Sequence, residues 1–284
     1  MTITRELVEK ALDGVLEPTT GKPITELGSI TEIAVTGDDV QLSFRLPVHG
    51  ATSQEKLRAP IVEAITAAGA KQVKIQWSTH VTGRDIGKDD PVPSVANVIV
   101  VMSGKGGVGK STVSANMALA LAKAGARVGL LDADMYGPSV PVMLGTHARP
   151  TSLDGNSLEP VERFGLKMMS IGFLLDDPRE AVVWRGPMLH GALMQFLQDV
   201  HWGDLDYLFL DLPPGTGDIP LTLSQKLQVT GAVIVTTPQD VALFDVYKSV
   251  SMCQKVNIPI LGIVENESYF ICDGCEKRHE IFGK

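Results

Sequence analysis

The stretch Val98–Thr112, VIVVMSGKGGVGKST, restricts this chain to few folds. An apolar, β-branched run enters a loop holding Gly104, Gly106, Gly107 and Gly109, and a helix-forming run, STVSANMALALAKAG, leaves it. Gly104, Gly109, Lys110 and Ser111 meet the spacing G-x-x-x-x-G-K-[ST], in the strand–loop–helix context that a phosphate-binding loop requires. The amides from Gly106 through Val108 to Lys110, with the helix N-terminus beyond them, suit the oxygens of a β-phosphate. Lys110 would reach the β and γ oxygens, the Ser111 hydroxyl would ligate Mg²⁺, and Thr112 opens the helix beside them. The expected ligand is a nucleoside triphosphate.

Lys105 is surplus to that pattern. One loop lysine already neutralises the terminal phosphates, so a second cation on the rim is either a solvated surface group or acts on a facing subunit. In the second case it would stabilise transition-state charge as an arginine finger does in trans. That reading predicts a homodimer.

Short apolar runs recur at NVIVVM, ARVGLLD, YLFLDL, GAVIVTT and PILGIV, separated by helical stretches such as 111–124 and 241–256. Near-continuous apolar strands alternating with helices predict an α/β domain: a doubly wound, mostly parallel sheet over 96–284, with ligands at the carboxyl ends of its strands. Acids stand at those ends. Asp211 closes YLFLDL and is placed to hold Mg²⁺ through water. Asp134 is the better candidate to orient an attacking water, and Asp132 to support Mg²⁺ or the lysine. The bland alternative is that these acids cap the following helices; Asp218 is either a switch residue or a cap.

Residues 1–82 read as a separate small α/β domain. A helix over 4–16, strands at SITEIAV and VQLSFRL, a helix over 54–68 and a strand at QVKIQW form one compact unit. The segment 83–95, GRDIGKDDPVPSV, has two prolines, two glycines and no periodicity, which predicts a linker.

Cys272 and Cys275 form a C-x-x-C pair, which fits half a zinc site, a redox pair or half an iron–sulfur site. Zinc needs two further ligands, with His279 a candidate; Cys253 sits in a helix and reads as a buried structural thiol. Two chains would complete a four-cysteine site. Three cysteines are too few for a disulfide framework and suit a reducing, cytoplasmic setting. The formal charge of −8 lacks the clustered Lys and Arg of a nucleic-acid surface, and no apolar run reaches the roughly 18 residues of a membrane span. MTITRELVEKAL carries no secretion or transit signature. Neither nucleic acid nor membrane is an expected partner.

The lysine-first loop GKGGVGKST resembles the deviant P-loop group that includes MinD, ParA and the nitrogenase iron protein. LLDADMYGPSVP, VVWRGPMLHGAL, LDYLFLDLPPGTGD, VTTPQDVAL and VENESYF followed by CDGC narrow this to a resemblance to Mrp/ApbC-type iron–sulfur cluster carrier ATPases. Residues 1–82 resemble the iron–sulfur-assembly-associated domain fused ahead of it in that family. The resemblance implies a homodimer that binds and slowly hydrolyses ATP, holds a [4Fe–4S] cluster through Cys272 and Cys275 of each subunit, and transfers it from a donor to recipient apo-proteins. It also implies that Asn266 contacts adenine, with Pro238 and Gln239 at a neighbouring strand end lining the pocket, and that Arg185 belongs to a family motif. Glu267 stands where the family usually has methionine, and the small domain's loop LPVHGATSQEKL lacks a cysteine often found there. The sequence stops nine residues after Cys275, where the family's domain continues, so 96–284 is expected to be a shortened P-loop domain. Two other functions fit the loop: a MinD/ParA-like positioning ATPase, which predicts an amphipathic C-terminal helix or basic patch that is not visible, and a zinc-stabilised nucleotide-binding module.

Overall fold

The computed structural model describes residues 3–18, 21–47, 49–152, 155–174, 186–215 and 217–281. The chain divides into two compact units, Met1–Thr82 and Gly83–Lys284.

In the first unit, α1 (Arg5–Leu12) starts at Thr4, whose hydroxyl accepts from the Leu7 amide as an N-cap, and stops at Asp13. It ends earlier than the apolar spacing predicted, yet Val15 is still buried. Strands β1 (Ile30–Thr36) and β2 (Asp39–Leu46) pair antiparallel; α2 (Ala51–Ala67) then returns the chain so that β3 (Gln72–Thr79) runs parallel to β2. Alternation places Val40, Leu42, Phe44 and Leu46 on the core face against Leu57, Ile61 and Ile65 of α2. Pro60 lies inside α2, on its exposed side. Burial of the opposite side offsets the helix interruption, which costs about 3 kcal/mol.

The second unit holds a seven-stranded sheet in the order β10-β9-β4-β8-β5-β7-β6. These are β4 (Val98–Met102), β5 (Val128–Asp132), β6 (Val161–Arg163), β7 (Leu166–Ser170), β8 (Tyr207–Asp211), β9 (Gly231–Thr236) and β10 (Ile260–Glu265). All neighbours are parallel except β6 with β7. The five strands expected from sequence are present, joined by β6 and β7. Adjacent residues on β4 feed opposite layers. Ile99 and Val101 face α3 (Lys110–Lys123) and α4 (Val140–Met143). Val98, Val100 and Met102 face the core shared with α5 (Gly186–Gln198), α6 (Asp218–Lys226) and α7 (Asp240–Lys255). Helices on both faces of a mostly parallel sheet are the predicted doubly wound architecture.

The expected linker 83–95 contains no helix or named strand, but it is folded onto this unit. Arg84 and Asp90 form a buried ion pair, Arg84 Nη2 donates to the Val92 carbonyl at 3.0 Å, and Val92 and Val95 enter the core. Proline and glycine content forecast the lack of regular structure; the packing depends on contacts that composition does not encode. A short hairpin, β11 (Phe270–Ile271) with β12 (Arg278–His279), follows β10. No described helix is long and apolar enough to cross a membrane.

Candidate functional site

β4 ends at Met102, and the loop from Ser103 to Gly109 delivers the chain to α3 at Lys110. Gly107 and Gly109 have φ of 79° and 84°, left-handed values that curl successive amides toward a shared anion position. Gly104 is required for another reason. A Cβ there would stand 2.3 Å from the Cβ of Asp245 on α7, so the loop's entry is packed directly on that helix.

Beneath the loop is a buried charge cluster. Lys110 Nζ donates to Asp211 Oδ1 at 2.7 Å and to the Ser111 hydroxyl at 3.1 Å, and lies 3.8 Å from Asp134 Oδ2. Asp211 and Asp132 are register partners on β8 and β5, so the parallel sheet itself sets two carboxylates side by side. Asp132 is fully buried and pushed up to about 7, first by burial and then by the Asp211 charge; the Val140 amide, Ser170 hydroxyl and Lys110 act against the shift. Asp211 is also raised, chiefly by burial, with Lys110 opposing. Asp211 and Asp134 share the one Lys110 ammonium, and among the described residues Asp211 Oδ2 is buried without a hydrogen-bond partner. An excess of negative charge and an unused acceptor beside the Ser111 hydroxyl fit a divalent cation, held directly or through water.

Asp132 takes the capping alternative, since the amides that donate to it include those of Ser139 and Val140 at the start of α4. Its Oδ1 accepts from the Asp134 amide at 3.2 Å. Its Oδ2 accepts from the amides of Ser139 (3.0 Å) and Val140 (3.1 Å) and from the Ser170 hydroxyl (3.0 Å). It therefore fastens both ends of the loop that carries Asp134, rather than facing Lys110 or a metal. Ser170, at the end of β7, was not foreseen; its strand LKMMS is interrupted by Lys167 and lacks the continuous apolar run that marked the others.

Lys105 differs. It was expected either to be solvated or to point away from its own nucleotide toward a facing subunit; it is half-buried and its Nζ donates to Gln239 Oε1 at 2.9 Å. Gln239 is the N-cap residue of α7, and the partly buried Pro238 precedes it. Asn266 lies against the same loop, its Nδ2 donating to the Val108 carbonyl at 3.0 Å. Thr112 is exposed and contacts Met143 Sδ at 3.8 Å. Asp218 begins α6; Arg185 lies outside the described residues.

Cys272 and Cys275 occupy the turn of the β11–β12 hairpin, Cys275 exposed and Cys272 partly so. The Cys272 amide donates to the Lys277 carbonyl at 3.0 Å and the Glu276 amide to the Cys272 carbonyl at 2.8 Å, which closes the turn. Amides of Gly274 and Cys275, then the Cys275 thiol, lower the Cys272 pKa and favour its thiolate. His279 does not join them: among the described residues no three potential metal ligands come together. Its ring packs beside Phe270 at 6.5 Å instead. Cys253 is buried against Met102 and its pKa is raised by burial, as a structural thiol would be.

A doubly wound sheet, a phosphate loop at the end of β4 and carboxylates on β5 and β8 define a P-loop NTPase. The family model described as NUBPL iron-transfer P-loop NTPase matches residues 94–284, and one described as iron-sulfur cluster assembly protein matches 5–77; the chain belongs to the iron-transfer P-loop NTPase family. Curated relatives called iron-sulfur cluster carrier protein include that of Escherichia coli, 47% identical over 98% of this chain and 76% of its own length. That of Synechocystis is 43% identical over 99% and 81%. Among solved structures, a nucleotide-binding protein from Archaeoglobus fulgidus in complex with ADP is 46% identical, with a TM-score of 0.59 over 67% of this chain and 74% of that one. Nucleotide binding and iron–sulfur chemistry are thus the common ground of the family, and the positioning-ATPase alternative is not favoured.

Proposed function

We propose that the chain binds and hydrolyses ATP with Mg²⁺ and carries a [4Fe–4S] cluster, its cargo, between two copies of itself before delivering it to apo-proteins in the cytoplasm. The observation that carries this reading is the pairing of a full phosphate-loop site with an exposed pair of cysteines that has no third ligand among the described residues. Four thiolates hold a four-iron cluster, and one chain offers two at the hairpin.

In this reading the loop amides and Lys110 take the phosphates. Ser111 and Asp211 hold Mg²⁺, which supplies charge neutralisation of the phosphate oxygens. Asp134 orients the attacking water and Asp132 keeps the Asp134 loop in place. Asn266, Pro238 and Gln239 border the base. Arrival of a second copy exchanges the Gln239 partner of Lys105 for phosphate across the interface. Exposed apolar groups support such a face. They include Tyr136, Val142 and Met143, the last in contact with Thr112, and Val241, Phe244 and Tyr247 of α7, the helix on which Gly104 packs. Thiols that are free among the described residues support a reducing compartment.

Anaerobic reconstitution with iron and sulfide tests the assignment. The visible absorbance of a cysteine-held cluster should develop in the wild type and be absent from Cys272→Ala. Equal absorbance in that variant would remove the hairpin from the cluster site, and zinc uptake in place of iron would favour a zinc-stabilised module.

A further inference from the structure

Asn266 immediately follows β10. Its amide donates to the Thr236 carbonyl at 2.8 Å, which fixes its backbone to the end of β9. Its side chain turns the other way, donating to the Val108 carbonyl inside the phosphate loop. A Cβ built on Gly109 would stand 2.3 Å from that Nδ2, so the asparagine amide fills the space that the glycine leaves. Val108 and Gly109 cannot shift toward a phosphate without moving Asn266 or breaking its bond.

The chain beyond Asn266 is exposed but shaped by local contacts. Glu267 is exposed with φ of 56°, a left-handed value uncommon outside glycine, and the bend is closed by the Ser268 hydroxyl donating to the Glu265 carbonyl at 2.7 Å. Tyr269 then lies under the Arg278 guanidinium at 4.0 Å, and Phe270 and Ile271 pair with His279 and Arg278. Cys272 comes next. A short, unbroken series of contacts thus runs from the phosphate loop through one side chain to the thiols.

We propose that Asn266 is a positioning residue that couples the two sites: nucleotide at the loop displaces its amide, and the fixed bend at Glu267 passes that displacement to the Cys272–Cys275 turn. The proposal rests on the cluster-carrier reading for its purpose, since it makes nucleotide the control on how the thiols are presented. Coupling of this kind is reciprocal, so a cargo on the thiols alters nucleotide affinity by the same factor.

The test uses the full chain, Mg·ADP and iodoacetamide, with no iron, so its failure is distinct from failure of cluster binding. Alkylation of Cys272 and Cys275 is followed by mass spectrometry, with buried Cys253 as internal control. Saturating Mg·ADP should change the wild-type rate at both thiols by at least about fivefold, the lower end of ordinary coupling. In Asn266→Ala the rate should become indifferent to bound Mg·ADP. A full response in that variant, or no response in the wild type, overturns the proposal. Should Asn266→Ala bind ADP too weakly to saturate, the reverse direction decides. Alkylating both thiols should then alter hydrogen exchange at residues 104–112 in the wild type and leave it unaltered in the variant, and an equal change in both would overturn the coupling. If that variant does not fold, Glu267→Gly serves, since it loosens the bend without touching loop or thiols. A reduced response carries the proposal, and an undiminished one refutes it.

Discussion

The phosphate loop and the cysteine hairpin stand at opposite extremes of pre-organisation. Lys110, Asp132 and Asp211 are buried and fastened to one another by the sheet register and short hydrogen bonds. Cys272 and Cys275 project from a turn held by two-residue strands, where neither His279 nor any other described group completes a ligand set. The difference is physical. The Lys110 ammonium offsets part of the carboxylate charge at the strand ends, so that site can be built in advance. Four thiolates brought together without metal would repel, so only part of such a site can be preformed cheaply on one chain.

Four substitutions sharpen or break this contrast. The largest effect is expected from Cys272→Ala: no cluster after reconstitution, with ADP affinity by calorimetry equal to that of the cluster-free wild type. A parallel loss of ADP binding would mean that the two regions are not separable. Next is Lys105→Ala, which should lower ATP turnover by roughly 10³-fold, the lower range for a cation supplied in trans, while leaving ADP binding nearly intact. Retained turnover would assign Lys105 to its Gln239 contact alone. Lys110→Ala should weaken ADP binding about 100-fold, as loss of a charge-assisted phosphate contact predicts, and should lower stability by about 3 kcal/mol because Asp211 is left buried without its counter-charge.

The smallest effect concerns Asp132. Its folded-state pKa, about 7, lies above the ordinary carboxylate value near 3.8, so the folded chain holds a proton that the unfolded chain releases. This contribution to stability is present at low pH and declines as pH rises from about 4 through 7. Urea unfolding at pH 5 and 7.5 should show the decline in the wild type and a flatter profile in Asp132→Asn. Identical slopes would show that Asp132 titrates normally.

The same contrast explains what could be read from the sequence. Four of the five expected strands were legible because strands buried on both faces are continuous apolar runs. Strand β10, at the sheet edge with alternately exposed residues, was legible by its apolar run alone, and the small domain because its strands alternate. Strand β7 was not, since Lys167 interrupts the apolar run of Leu166–Ser170, and Ser170 was overlooked with it. Lys110, Ser111 and Asp211 followed from local spacing. The contacts of Asp132 and Lys105 with Ser139, Ser170 and Gln239 did not, because they arise only through tertiary packing. The Arg84–Asp90 pair hid in a stretch whose prolines and glycines signalled only irregular backbone. The cysteine pair was visible as a motif.

Native mass spectrometry of the anaerobically reconstituted chain, with iron counted per species, tests the central claim most directly. Two chains carrying one four-iron cluster, with only cluster-free chain at the monomer mass, is the predicted result. A monomer that retains four iron and four sulfide on its own residues would contradict the account.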